Sequence, residues 1–194
     1  MALLARIEPP ADLTVAEWES IDPIDLLRDE HAHFRKICDM LDRLANNLQH
    51  DAAVRETAII YRAFTHQFPL HQANEEEDFF PLLRVRCLPE DGVDEMLSLL
   101  LRDHSSKNAE GGTVDFLPGL MQIATGREIA DPMVFIGSVL AFTEMLRRHI
   151  AWEDATLMRL ARKRLTAADR SALAHAMMRR RQAFEPAASP ALPI

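Results

Sequence analysis

Apolar residues recur along the chain at steps of three and four, and no stretch alternates with the period of two that a half-buried strand requires. Asp22-Pro23 supplies an N-cap and a first-turn proline, after which Leu27, His31, Phe34, Cys38, Leu41, Ala45 and Leu48 predict a helix to about Asn47. A second helix is predicted from near Asp51 to about Cys87, with Phe64, Phe68, His71, Glu75, Phe79 and Leu82 on one stripe and a kink at Pro69. Pro89 and Gly92 end it. Val93, Leu97, Leu100 and His104 mark a third helix, which Gly111-Gly112 should break or bend before it resumes over 114–124. Asp131-Pro132 caps a fourth, in which Phe135, Val139, Phe142, Leu146, His149, Glu153, Leu157 and Leu160 make an unbroken inward stripe. Thr166 with Asp169 opens a last amphipathic helix to about Arg181.

Four long helices on short connections predict an all-α, up-down-up-down four-helix bundle over residues 23–182. Residues 1–22 form an N-terminal arm holding Pro9-Pro10, a capping box at Thr14 and Glu17, and Trp18, which is expected to pack on the bundle. The last predicted helix is additional to the four. Residues 183–194, rich in proline and alanine, read as a flexible tail.

Polar residues interrupt the inward stripes in a repeated way. His71 and Glu75 stand four apart, as do His149 and Glu153, and each pair follows an acid-histidine step, Glu30-His31 or Asp103-His104. A histidine and a carboxylate at i and i+4 project from one helix face about 6 Å apart along the axis, a spacing suited to gripping metal. The two halves also align, with Leu26 through His31 resembling Leu99 through His104, and His71 through Glu76 resembling His149 through Asp154. With turns near His50 and Arg127, the paired histidines lie at distances from the turn that differ by about 3 Å or less of helix rise, so the antiparallel partners meet at one depth. His31, His71, Glu75, His104, His149 and Glu153 therefore read as a two-metal site. Imidazole with carboxylate favours iron, manganese or zinc over calcium or magnesium.

The remaining candidates fail on geometry. His33 is turned about 200° from His31, His66 is about 140° off the His71 face, and His50 lies about 28 Å along the axis from His31. These and His175 read as surface residues. Glu76, Glu77 and Asp78 read as solvating or outer-shell groups, Asp103 and Lys107 as a solvated or salt-bridged face, and Tyr61 as a packing residue within reach of a redox centre. Glu30 and His33 match the Glu-x-x-His step of ferritin-like bundles, but no other histidine has a glutamate three residues before it.

Composition narrows the function. The 194 residues, 48% of them hydrophobic, suit one domain with a substantial core. A formal net charge of -8 argues against a phosphate-backbone ligand, so no nucleic-acid partner is expected. The one basic run, Arg179-Arg180-Arg181, reads as a solvated helix end. Cys38 and Cys87 stand in apolar helical patterns and offer no disulfide framework, no apolar run reaches bilayer length, and the opening residues are too short for a signal peptide. A cytoplasmic protein with no membrane partner is the expectation.

The stretches Pro23 through His31, Pro69-Leu70-His71 through Glu75-Glu76-Glu77-Asp78-Phe79-Phe80-Pro81, Asp103-His104, and His149 through Glu153-Asp154 resemble the hemerythrin-like family of HHE cation-binding domains over about residues 23–181. The resemblance implies a centre of two iron ions with an oxo or hydroxo bridge, His31, His71, His104 and His149 as terminal ligands, and Glu75 and Glu153 as bridges. Oxygen-carrying hemerythrins use a fifth histidine, which no residue here is placed to supply. Two octahedral metals offer about twelve positions, of which this set with its bridge fills about ten. The more open centre favours sensing, peroxide chemistry or NO chemistry over oxygen storage. A peroxide-consuming or oxidase enzyme and an iron-dependent regulatory protein are the rival readings. The iron-sulfur-repair branch carries a cysteine-containing N-terminal segment, and residues 1–23 contain no cysteine. Phe34, Phe68, Leu100, Phe142 and Leu146 would form an apolar sheath suited to O₂, NO or another small neutral ligand.

Overall fold

The computed structural model describes residues 20–48, 53–108 and 116–183, and every regular element in them is helical. The first bundle rod is α1 (Pro23–Asn46). The second is built from α2 (Ala53–Arg62), α3 (Phe68–Asn74) and α4 (Phe80–Arg86), joined by π turns over Ala63–Gln67 and Glu75–Phe79. The third is α5 (Val93–Asn108), followed by the short α6 (Leu117–Ala124). The fourth is α7 (Pro132–Ala155), continued by α8 (Leu157–Arg164), and α9 (Ala167–Ala183) is the additional C-terminal helix. Trp18, His50 and Gly111-Gly112 lie outside the described residues.

Helix starts follow their caps. Ile24 N–H donates to Asp22 Oδ1 at 2.9 Å and Val134 N–H to Asp131 Oδ1 at 3.1 Å, each satisfying an orphan donor of a first turn that carries proline. Thr166 and Asp169 form the expected reciprocal pair, Thr166 N–H to Asp169 Oδ2 at 2.9 Å and Asp169 N–H to Thr166 Oγ1 at 3.1 Å. Pro89–Asp91 is a single 3₁₀ turn, and Gly92 leaves it at φ 63°, a left-handed conformation that glycine adopts without a Cβ clash.

Two expectations about continuity change. At Pro69, where a kink is expected, the second rod carries a π turn: Phe68 N–H bonds Ala63 O, one residue further back than in an α-helix, and Phe80 N–H bonds Glu75 O in the same way before Pro81. The widened turn places each proline in the first turn of the next α segment, where a missing N–H is tolerated. The extra residue also advances the inward face, so that Leu83 is buried while Leu82 is only partly so. The fourth rod is interrupted at Thr156, whose hydroxyl donates to Trp152 O at 2.6 Å. Beyond it Met158 and Ala161 are buried and Leu160 is partly exposed, so the stripe is not continuous through Leu160.

The core is in two parts. Phe34, Phe64, Phe68, Phe116 and Phe142 centre one apolar cluster, and Ile24, Leu27, Phe79, Phe80, Leu83 and Leu97 belong to the other. Their alternation with polar inward positions follows directly from the stripes. On the second rod His71 and Glu75 fall between Phe68 of the first cluster and Phe79 of the second.

Candidate metal centre

The bundle brings all six residues together. His31, His71, Glu75 and Glu153 form one buried group, and Glu75, His104, His149 and Glu153 form a second that shares both carboxylates, with donor atoms in each within 4.8 Å of one another. Glu75 and Glu153 are fully buried, as is His31. His31 Nε2 lies 3.6 Å from Glu75 Oε1 and 3.3 Å from Glu153 Oε2, and His71 Nε2 lies 3.3 Å from Glu75 Oε1. On the other side His104 Nε2 is 3.6 Å from Glu75 Oε2, His149 Nε2 is 3.5 Å from Glu153 Oε2, and the two Nε2 atoms are 3.1 Å apart.

The opposite ring nitrogens all face carboxylates. His31 Nδ1 meets Asp154 Oδ1 at 2.9 Å, His71 Nδ1 meets Glu30 Oε2 at 2.9 Å, His104 Nδ1 meets Glu76 Oε1 at 2.7 Å, and His149 Nδ1 meets Asp103 Oδ2 at 3.1 Å. A carboxylate only accepts, so each Nδ1 donates, and the imidazole in its neutral form then turns its Nε2 lone pair to the centre. This is the outer-shell arrangement that orients metal-binding imidazoles and raises their basicity.

These four contacts close a ring around the bundle. Each acid stands next to an inward residue of its own rod: Glu30 before His31, Glu76 after Glu75, Asp103 before His104, Asp154 after Glu153. One residue is about 100° of helix rotation, which turns the acid from the centre toward a neighbouring rod. On an ascending helix the preceding residue, and on a descending helix the following one, are displaced in the same sense when viewed from one end of the bundle. The first rod's acid therefore holds the second rod's histidine, the second holds the third's, the third the fourth's, and the fourth the first's.

Four buried carboxylate oxygens, Oε1 and Oε2 of Glu75 and of Glu153, and His31 Nε2 have no hydrogen-bond partner. Leaving such groups unmatched in a low-dielectric interior is costly, and a cation among them is the species that satisfies carboxylate and imidazole lone pairs together. The donor set thus fits a metal. Its walls are apolar, with the Phe34 ring 5.1 Å from His71 and the Phe80 ring stacked 5.9 Å from His104, centroid to centroid. The expected sheath residues Phe34, Phe68, Leu100, Phe142 and Leu146 are all buried, and Phe80 adds to them.

Residues set aside on geometry stay outside the cluster. His33 Nε2 lies 2.6 Å from Gln67 Oε1, His66 Nδ1 lies 2.7 Å from Thr65 Oγ1, and His175 Nδ1 lies 2.7 Å from Ser171 O. His33, His66 and His175 are half-buried rather than fully at the surface, and at His33 the first π turn brings Gln67 against α1. Tyr61 packs beside the Phe64 cluster. Glu30 serves His71, so the Glu30-x-x-His33 step is not used as a unit. Asp103 is more than a solvated acid, since it orients His149.

The C-terminal arginines correct a further expectation. Arg180 and Arg181 are not a solvated end: Arg181 Nη2 donates to Glu30 Oε1 at 2.9 Å, and Arg180 donates to Asn74 Oδ1 at 2.9 Å, to Glu77 Oε2 at 2.9 Å and to Asp78. The end of α9 lies over the acid-rich second π turn, and opposite charge draws it there. Arg35, on α1, likewise holds Asp154 Oδ2 at 2.5 Å behind His31.

Burial pushes the His31 imidazole toward neutrality, but Asp154, Glu153 and Glu75 more than reverse this and hold its pKa well above the ordinary 6.5. Burial likewise opposes ionisation of Asp154, and His31 and Arg35 overcome it, bringing that carboxyl down from 3.8 to about 2. In metal-free protein the His31 contribution to stability is complete below pH 6.5 and is lost as pH rises through the elevated folded value; the Asp154 contribution is complete above pH 3.8 and is lost as pH falls toward 2. Denaturant unfolding in chelator should show a stability plateau between these limits that declines on both sides. An alkaline decline that persists unchanged in His31→Gln would contradict the assignment.

A family model for the hemerythrin HHE cation-binding domain matches residues 22–161. The chain belongs to that family of metal-binding helical bundles, and α9 lies beyond the matched segment. No curated protein matches the chain. No described helix is long and apolar enough to cross a membrane.

Proposed function

We propose that this chain is a cytoplasmic non-haem di-iron protein that binds or senses a small oxidant, O₂, NO or peroxide. His31, His71, His104 and His149 would be the terminal ligands and Glu75 and Glu153 the bridges. The observation that carries the reading is the pair of buried donor groups sharing two carboxylates, with four imidazoles each backed by an acid. Two bound iron ions would supply redox capacity and coordination positions that the six side chains do not fill. The chain's own residues do the rest: the acid ring fixes the imidazole tautomers, the phenylalanine walls exclude bulk water, and the apolar surroundings admit a small neutral ligand more readily than a sugar or phosphate. Among the described residues four histidines join the cluster, which supports a centre more open than an oxygen carrier's. The thiols of Cys38 and Cys87 suit a reducing compartment.

Metal analysis of protein isolated from cells should give about two irons per chain, with a visible spectrum that changes when anaerobic protein meets O₂, NO or peroxide. His66→Ala should keep both the metal and the spectral response, whereas His71→Ala should lose them. Protein loaded with zinc alone, or iron-loaded protein indifferent to all three ligands, would contradict the proposal. Steady-state peroxide loss that disappears in metal-free protein would instead assign the centre to an enzyme.

A further inference from the structure

The last helix reaches the centre from outside the matched domain. α9 is anchored by buried Leu173, Ala174, Met177 and Met178, and its end carries Arg181 to within 2.9 Å of Glu30 Oε1. The other oxygen of the same carboxylate, Oε2, accepts from His71 Nδ1. Glu30 is only 9% exposed and Arg181 19%. One buried carboxylate thus joins a guanidinium from α9 to an imidazole of the proposed centre. Arg180 grips the second rod beside it, on Asn74, Glu77 and Asp78, and Asn74 directly precedes Glu75.

We propose that Arg181 is a positioning residue of the metal centre, acting through Glu30 on His71, so that docking of the C-terminal helix and metal occupancy of the His31 and His71 side are energetically coupled. The inference rests on the di-iron reading above. A buried carboxylate without charge compensation is costly, and Glu30 can face His71 as a fixed acceptor because the guanidinium holds its other oxygen. The charge-assisted contact from Arg181 Nη2 to Oε1 also restrains the carboxylate, and with it the ring of His71. Coupling of this kind is reciprocal: whatever factor Arg181 adds to metal affinity, metal must add to the docking of α9.

The test uses the full chain with iron(II), and with cobalt(II) as a spectroscopic probe, both anaerobic and in competition with a chelator. Arg181→Met should weaken metal binding about tenfold, the lower end of the range for outer-shell partners, and shift the cobalt ligand-field bands. Arg181→Lys, which keeps the charge without the fork, should recover most of the affinity. Arg180→Met loosens the same helix end without touching Glu30, so it should weaken metal binding and shift the cobalt bands clearly less than Arg181→Met does; an equal shift there would reduce Arg181 to a structural contact and overturn the proposal. Hydrogen exchange across α9 in the unmodified protein gives a readout that does not depend on any variant folding. It should slow on metal loading by about the same tenfold factor, and equal exchange with and without metal would overturn the coupling. Unmodified protein that bound no metal would bring down the di-iron reading and this proposal together, whereas two tightly bound metals with an unchanged spectrum in Arg181→Met would bring down this proposal alone.

Discussion

Glu75→Ala is expected to lose more than one equivalent of metal while the helical content of the protein stays unchanged. Its two oxygens face different histidines, Oε1 toward His31 and His71 and Oε2 toward His104, so the side chain belongs to both donor groups at once. With two ions bound as proposed, removing a terminal imidazole would take a donor from one ion, whereas removing a shared carboxylate would take one from each and delete the negative charge that offsets their repulsion. Outer-shell substitutions at metal sites cost about 10- to 100-fold in affinity, and loss of a shared ligand should exceed that range. The fold should survive, because the aromatic clusters above and below the centre do not include Glu75 and a buried carboxylate contributes little to a metal-free core. Metal content by elemental analysis after gel filtration, with circular dichroism on the same samples, decides it. A variant that retains two tightly held metals would show that Glu75 bridges nothing.

The inward positions were legible in the sequence because ligands and core residues obey one periodicity. A histidine or glutamate standing on an otherwise apolar stripe is visible as an exception, and the doubling of that exception marked all six residues that the fold brings together. Two things were harder to read. The π turns and the interruption at Thr156 each advance the phase of a helix, which moves burial from Leu82 to Leu83 and places Met158 and Ala161 inward in place of Leu160. Steps of three and four carry a π turn without signalling it, although the prolines at 69 and 81 mark where the backbone must give.

The acid ring was partly in view. Glu30, Glu76, Asp103 and Asp154 all stand beside candidate ligands, yet an acid one position off a stripe has the same periodicity as a solvated surface residue. What distinguishes them is the alternating direction of the rods: the acid precedes its inward partner in rods one and three and follows it in rods two and four, and only then do all four turn the same way. Arg181 left no such trace. It meets Glu30 across 151 residues of chain, and a run of three arginines at a helix end has an ordinary explanation in the helix dipole.

Loading the centre is expected to raise the melting temperature by about 5–10 °C, and chelation should return it. Metal-free protein buries Glu75 and Glu153 with no hydrogen-bond partner for their four oxygens, so much of the desolvation cost of the site stands unrecovered until a cation enters. A ligand that binds only the native state adds RT ln(1 + [L]/Kd), about 2.7 kcal/mol at a hundredfold excess over Kd, and a domain of this length shifts by roughly 2–4 °C for each kcal/mol. Iron(II) and manganese(II) should both act, since the donor set accepts either, while calcium and magnesium should not, because imidazole is a poor ligand for them. The shift should vanish in a protein carrying Glu75→Gln and Glu153→Gln together, whose amides occupy nearly the same volume but cannot bridge as charged oxygens do. Scanning calorimetry of the two proteins, each with and without metal, makes the comparison. Superimposed melting curves for loaded and metal-free unmodified protein would mean that the six residues bind no ion tightly enough to stabilise this bundle.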